Sequence, residues 1–473
     1  MTTPSPSAEA TQDAVRPAWR LLLRRVEGML GATPDRSRAL LDVALAFSVR
    51  VASAALLYIS QIVLARWMGA FEYGIYVFVW TWVLLLGGVS HLGFSGASIR
   101  LVPEYRERAE PELLRGLLAA GRMTALGGAT LIAGFGGLVL WLFPWVVQSY
   151  YLLPGFLALA CLPLYALSDV QDGIGRGRGW MAVALVPPYI VRPLMVLACM
   201  IVAHALGWPM VATTAAGAAI IATWGAAAAQ TFVLHRRLAA ELPAGPRRFA
   251  YRTWLGISLP LLAMYACEMT LQNADVIMIS AYLTPVEVGM YFAAAKTMSL
   301  VMFVHYAVGS AVANRISVLN TRGDRAALEA FVRDAVHWTF WPSLAAAALL
   351  LALGRPLLWL FSPQFMDAYP VMFVLVAGFI ARAAVGPAEY VLNVLGEQRL
   401  CAAVLATSAV MSVALNFVLV PRFGLIGAAC ATSTAIAFAA AMNYFVARST
   451  LGLDLGVWAT RRGCDNSSGA PTL

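Results

Sequence analysis

Apolar residues occur along this chain in long runs rather than in alternation. Twelve runs can be delimited: 40–65, 76–99, 119–142, 146–168, 181–203, 210–234, 254–283, 287–313, 336–361, 369–392, 401–420 and 425–447. As a helix, each is long enough to cross a hydrocarbon core about 30 Å thick. Runs apolar on every side predict helices surrounded by lipid or by other helices. The polar segment His235 to Arg252 carries Arg236, Arg237, Arg247 and Arg248 with Pro243 and Pro246 between them, and it reads as a flexible join. It divides the runs into six and six. The predicted organisation is an N-terminal segment 1–38, a six-helix bundle 39–235, a linker 236–252, a second bundle 253–448 and a tail 449–473. Within the first segment, Trp19, Leu22, Leu23, Val26, Met29 and Leu30 can share a face opposite Arg16, Arg20, Arg24 and Glu27. That pattern predicts an amphipathic helix at Val15–Leu30, lying on a membrane surface with anionic lipid.

One stretch occurs twice. Glu72, Gly74, Tyr76, Ser95 and Arg100 recur 215 positions later as Glu287, Gly289, Tyr291, Ser310 and Arg315. Each copy follows another apolar run, so each is the second arm of a helical hairpin. A fixed offset close to half the chain length implies two homologous halves. Both halves begin on the same side and hold an even number of spans. Their repeats are therefore parallel, related by an axis along the membrane normal. The expected fold is an all-α polytopic membrane protein, with about twelve transmembrane helices in two pseudo-symmetric six-helix bundles around a central cavity.

Composition agrees: 61% of residues are hydrophobic and 12% charged, about half the charge of a soluble domain. The net charge of +9 suggests nucleic acid until the charges are placed. Of 33 basic residues, 26 fall in one set of loops and tails, and three (Arg66, Arg355, Arg422) fall in the other. This asymmetry is the positive-inside signature. It predicts a multi-pass plasma (inner) membrane protein with both termini cytoplasmic, in contact with anionic lipid and with no nucleic-acid partner. Trp141, Trp145, Tyr150 and Tyr151 crowd the opposite edge as an interfacial belt. No cleavable signal is expected, and the first span serves for insertion. Five of the six cysteines lie in apolar runs without a Cys-x-x-Cys pair, as inert thiols do.

Four basic residues remain, Arg50, Arg192, Lys296 and Arg382, and all lie within spans. Counted along their helices they sit about 14–22 Å deep. Facing lipid, each would cost roughly 2.5–3.5 kcal/mol, so they must line a wet cavity or meet a partner. They are the expected substrate-binding cations. Glu268, Asp275 and Glu389 are the acidic residues at mid-membrane positions, and they are candidates for ion pairing or for coupling. Asp275 and Lys296 lie at equal depth on one hairpin, where an ion pair is the plain reading. Glu268, Gln272 and Asp275 share a helix face by their spacing. Glu389 lies two turns from Arg382, with Pro387 between them, which predicts a kinked, internally paired helix. Arg50 and Arg192 have no acidic neighbour in sequence and are the best anion ligands. His91 and His305 read as buried, hydrogen-bonded histidines.

No catalytic constellation is visible. There is no phosphate-cradling loop with lysine, no metal-ligand pair and no nucleophile elbow, so no enzyme, cofactor or metal is expected. Gly173, Gly175, Gly177 and Gly179, alternating with Arg176 and Arg178, predict a tight cytoplasmic turn.

LARWMGAFEYGIY at 64–76, VGMYFAAAK at 288–296 and LNVLGEQ at 392–398 resemble the polysaccharide-type, Wzx-like flippases. These form one branch of a superfamily that also holds multidrug exporters and the lipid II flippase. The resemblance spans residues 39–450. It implies a V-shaped pair of six-helix bundles and alternating access. It also implies a polyprenyl-pyrophosphate-linked oligosaccharide, such as an O-antigen or exopolysaccharide repeat unit, as substrate. A polysaccharide polymerase and glycosyltransferases would be the partners. Arginine offers a fork of donors matched to a pyrophosphate. The alternatives are a cation-coupled multidrug exporter, disfavoured by four mid-membrane cations against three carboxylates, and a non-transporting scaffold, which has no need of such charges. An integral-membrane glycosyltransferase would need acidic outer loops, which are nearly absent.

Overall fold

The computed structural model describes residues 34–459, with side chains from Val49 onward except Arg50, Ser310 and Asn314. The amphipathic stretch expected at Val15–Leu30 and the last part of the tail lie outside the described residues. The described chain is helical, without strands. Its first half holds α1 (Pro34–Ser90), α2 (Phe94–Glu107), α3 (Pro111–Leu142), α4 (Ser149–Gly177), α5 (Met181–Ala205) and α6 (Ala212–Glu241). Its second half holds α7 (Tyr251–Tyr282), α8 (Pro285–Ser299), α9 (Met302–Arg322), α10 (Arg325–Ala352), α11 (Tyr369–Ala384), α12 (Ala388–Val394) and α13 (Gln398–Thr450).

Among the described residues, nine helices are long and apolar enough to cross a membrane, or ten if the bent pair α8–α9 is one broken span. The expected twelve separate spans are not reached on this criterion, and the reason is geometric. α1 has 57 residues and α13 has 53, so each is roughly 80 Å long at 1.5 Å per residue. Each is kinked at one glycine, Gly69 (φ 76°, ψ 168°) and Gly424 (φ 57°, ψ −134°), in backbone regions that a Cβ disfavours. Two arms therefore meet at each glycine without a loop between them. Other expected runs are broken instead. The run 76–99 is interrupted at His91–Gly93, 287–313 at Leu300–Val301 and 369–392 at Val385–Pro387.

The repeated glycines sit where the halves meet. A Cβ on Gly74 would lie 1.7 Å from the Pro285 carbonyl oxygen, and one on Gly289 would lie 2.9 Å from that of Ala70. Positions 74 and 289 correspond through the repeat, and so do 70 and 285. The contact is thus reciprocal, as a two-fold relation requires. A pseudo-two-fold axis passes between the two glycines, and backbone meets backbone there. Around it, fully buried Tyr73, Phe361 and Phe365 close this end of the molecule. The Tyr73 ring lies 5.9 Å from Phe365 and 6.4 Å from Phe292, a spacing at which aromatic edges and faces attract. Tyr58 and Thr297 join the halves through a 2.9 Å hydroxyl pair. The repeated glutamates both cap helices. Glu72 accepts the Ala212 N–H at 2.7 Å, and Glu287 accepts the Thr284 N–H at 2.8 Å in a capping box.

At the opposite, arginine-rich end the halves touch through α1 and α2 against α7. The segment expected to be a flexible linker is tied down. α6 continues to Glu241, and Arg115 donates from Nε to the Pro243 carbonyl (3.1 Å) and from Nη1 to that of Pro246 (2.7 Å). The Arg248 N–H reaches the Glu112 carbonyl at 3.1 Å. One planar guanidinium thus satisfies two loop carbonyls. The glycine-rich stretch also differs from expectation. α4 runs through Gly177, and only Gly179, at φ 75°, makes the turn. Gly173 instead lets α2 approach closely, since a Cβ there would sit 2.2 Å from the Ser95 carbonyl. The tail also folds back. Leu453 and Leu455 are buried in the second half, and the Val457 N–H donates to the Ala384 carbonyl at 3.0 Å, where α11 ends.

Candidate functional site

The second half encloses a cavity of about 460 Å³, within the range of small-ligand sites. α7 contributes Glu268, Gln272 and Asp275, α8 contributes Lys296, and the α11–α12 break contributes Arg382 and Glu389. The i, i+4, i+7 spacing on α7 does place its three polar residues on one wall.

Asp275 is buried and accepts three hydrogen bonds. Its Oδ2 takes the Tyr291 hydroxyl at 2.7 Å and the Thr432 hydroxyl at 3.2 Å, while Oδ1 takes the Val276 N–H at 2.8 Å. The expected Asp275–Lys296 ion pair is therefore not formed. Neutral donors fill the carboxylate, and the Lys296 ammonium sits 4.9 Å over the Phe292 ring instead. The two charges still act on each other through the field. Arg382 and Glu389 do pair, Nη2 to Oε2 at 2.7 Å. The path between them is not a kinked helix but a break, with Gly386 at φ 61°. Arg382 Nε is buried without a partner. Gln272 donates to Glu268 at 3.1 Å.

The four expected cations do not share this chamber. Lys296 and Arg382 line it. Arg192 belongs to the first half, directly after a π-helical turn at Pro187–Val191, with its guanidinium 5.6 Å over the Trp80 ring and 5.1 Å over Tyr165. A π-turn re-aims the residue that follows it, and the two rings hold the guanidinium in place. The side chain of Arg50 lies outside the described residues. In the cavity three carboxylates face two cations, so the positive surplus counted along the sequence does not hold for this chamber.

His305 is buried as expected, but neither ring nitrogen has a hydrogen-bond partner. His91 is paired with Asp169 at 2.8 Å, a residue the sequence reading missed by ending its span at Ser168. The signal was the polar set Asp169, Gln171 and Asp172, which continues the helix to Gly177.

A family model described as polysaccharide biosynthesis protein matches residues 40–317. A second, MatE, matches residues 260–418. Comparison with curated protein sequences gives no significant match. Among solved structures, an inward-facing multidrug resistance MATE family transporter of the MOP superfamily is similar, with TM-score 0.69, 14% identity, and 86% of this chain and 98% of that one covered. The lipid II flippase MurJ in an inward closed conformation gives TM-score 0.67, 15% identity, and 86% and 87% coverage. An outward-facing MATE family transporter gives TM-score 0.58 at 15% identity, covering 89% and 96%. With more than half of its length matched by one family model and its fold shared with these membrane proteins, the chain belongs to the polysaccharide biosynthesis protein family.

Proposed function

We propose that the protein is a flippase. It moves a polyprenyl-pyrophosphate-linked oligosaccharide from the inner to the outer leaflet of the plasma membrane by alternating access. The arginine-rich end faces the cytoplasm, and the end sealed at Gly74 and Pro285 faces out. The observation that carries this reading is a cavity that holds charged side chains within the apolar span region, on the cytoplasmic side of an aromatic seal. Family membership, and the higher similarity to inward forms than to the outward one, support it.

In this reading Arg192, held between Trp80 and Tyr165 in the first half, and Lys296 and Arg382 in the cavity attract the pyrophosphate, joined by Arg50. Gln272, Asn393 and Glu268 offer the mixed donors and acceptors that sugar hydroxyls need. Glu389 positions Arg382, and Phe292 positions Lys296. The lipid tail stays in the bilayer. The test is surface glycan in cells carrying Arg50→Ala, Arg192→Ala or Lys296→Ala in turn. Loss of surface glycan at full protein level is expected, and normal glycan with all three would remove these cations from the mechanism.

A second reading has one observation in its favour. Three carboxylates facing two cations suit a cationic drug better than an anion. A cation-coupled exporter predicts drug hypersensitivity in a deletion strain with surface glycan intact, the reverse of the flippase expectation.

A further inference from the structure

Away from the cavity, His91 Nε2 lies 2.8 Å from Asp169 Oδ2, with the imidazole 4% exposed and the carboxylate 26%. A carboxylate only accepts, so Nε2 carries the shared hydrogen, an assignment made from the partner. The other ring nitrogen, Nδ1, is buried without a partner. This pair stands at the break between α1 and α2, where Leu92 has φ 49° and Gly93 φ 76°. Beyond the break, the Ser95 hydroxyl donates to the Asp169 backbone carbonyl at 2.8 Å, tying α2 to α4. Before and at the break, the chain is pressed on the second half. A Cβ on Gly88 would sit 2.2 Å from the Tyr265 ring, and one on Gly93 would sit 2.2 Å from the Ser258 carbonyl. The dyad therefore lies at a hinge clamped between the halves.

Its electrostatic surroundings come from three elements. On α4 are Tyr165 and Arg176, on α5 Tyr189 and Arg192, and on α7 Tyr265 and Glu268. The field of Asp169 reaches Tyr165, Arg176 and Tyr265, and Glu268 acts on Tyr265 from the cavity wall. Of the two cations in this set, Arg176 is paired with Asp172 at 2.6 Å and Arg192 stacks 5.1 Å over the Tyr165 ring.

We propose that His91 and Asp169 form a proton-binding site that couples protonation to the alternation of the two halves. One proton from solvent ends on Nδ1, giving an imidazolium against the Asp169 carboxylate, and no other bond changes. In the present conformation that new N–H would be buried with no acceptor. A rearranged Leu92–Gly93 hinge offers it water or a carbonyl. The proton thus binds more tightly to the rearranged conformer, and by linkage it favours that conformer. Imidazole is the side chain whose charge ordinarily changes between pH 5 and 8. The inference rests on the transporter reading for the alternation itself, not on the cargo.

The experiment uses the full chain in lipid nanodiscs with no glycan present. Its six native cysteines are replaced, and spin labels are placed at Glu107→Cys and Arg322→Cys, both exposed and on opposite halves. The ratio of the populations at the two inter-label distances is read from pH 8 to pH 5. In the otherwise wild-type chain it should change, by at most about tenfold per pH unit for one linked proton. His91→Gln should leave it flat. Asp169→Asn, without the countercharge, should move the transition to lower pH. Ser95→Ala, which cuts the neighbouring tie to the Asp169 backbone without removing a titrating group, should lower thermal stability and leave the pH response unchanged. A wild-type ratio that ignores pH, or a His91→Gln chain that keeps the full response, overturns the proposal. Neither outcome depends on whether glycan is the cargo.

Discussion

Replacing Gly74 by alanine perturbs the axis on which the two halves close. The added Cβ would meet the Pro285 carbonyl oxygen at 1.7 Å, where ordinary contact begins near 3.4 Å. The atom it meets is backbone, so no side chain can swing away, and the helices must part by about 1.7 Å at this end. Alanine is worth about 1 kcal/mol more than glycine within a helix, but overpacking costs typically about 1–3 kcal/mol. The clash therefore wins or breaks even in the closed form, and it vanishes in a form open at this end. A bias of about 1–3 kcal/mol is a shift of roughly 5- to 150-fold between conformers. Spin labels at Leu206→Cys and Leu353→Cys, exposed residues of opposite halves at the sealed end, read that ratio directly. Gly289→Ala, with its nearest atom at 2.9 Å, should give a smaller shift, and Gly127→Ala, with nothing within 4 Å, should give none. Equal behaviour of all three variants would refute the idea that these glycines set the closure.

Three further outcomes follow from local chemistry. Asp275→Ala strands the Tyr291 and Thr432 hydroxyls and should lower stability by about 1–3 kcal/mol, read by thermal unfolding in detergent. Asp275→Asn, which keeps an acceptor for Tyr291, should cost less. Arg382→Ala or Glu389→Ala should each cost about 1–3 kcal/mol, below the roughly 3–5 of a fully buried pair, because the side chains are 22% and 32% exposed. The double variant should lose less than the sum of the two. Arg115→Ala removes both bonds that hold the segment around Pro243 and Pro246. Trypsin should then cut at Arg247 or Arg248 several-fold faster, and an unchanged rate would show that the segment is held by other contacts.

Much of the fold was legible because it follows from solvent and symmetry. A helix in lipid must be apolar for its whole length, so the spans announce themselves. Gly74 and Gly289 recur in sequence because each meets the other copy's backbone at one axis. The Arg382–Glu389 pair was legible because the two residues lie seven positions apart, two turns along one face. Three things were not legible, each for a physical reason. The number of separate helices was not legible, since Gly69 and Gly424 each join two arms into one kinked helix although Arg66, Glu72 and Arg422 mark a boundary in the sequence. Which cations share a chamber depends on how each helix is rotated, and packing rather than spacing sets that rotation. Lys296 therefore enters the cavity while Arg192 stacks on Trp80 and Tyr165 in the other half. Asp275 took neutral partners because Thr432 comes from a helix more than 150 residues away, which no local pattern reveals. Asp169 was not legible because polar residues and glycines ordinarily end a span, whereas α4 carries them into a tightly packed protein interior.

The most direct measurement of the central claim reconstitutes the purified chain in vesicles holding a fluorescent polyprenyl-pyrophosphate-linked sugar in both leaflets. A membrane-impermeant quencher then reports how much inner-leaflet lipid becomes exposed with time. The account predicts protein-dependent exposure that falls several-fold in Arg192→Ala and Arg382→Ala, while a polyprenyl lipid lacking the pyrophosphate-linked sugar is not moved. Vesicles that protect their inner leaflet equally with and without the protein would contradict it.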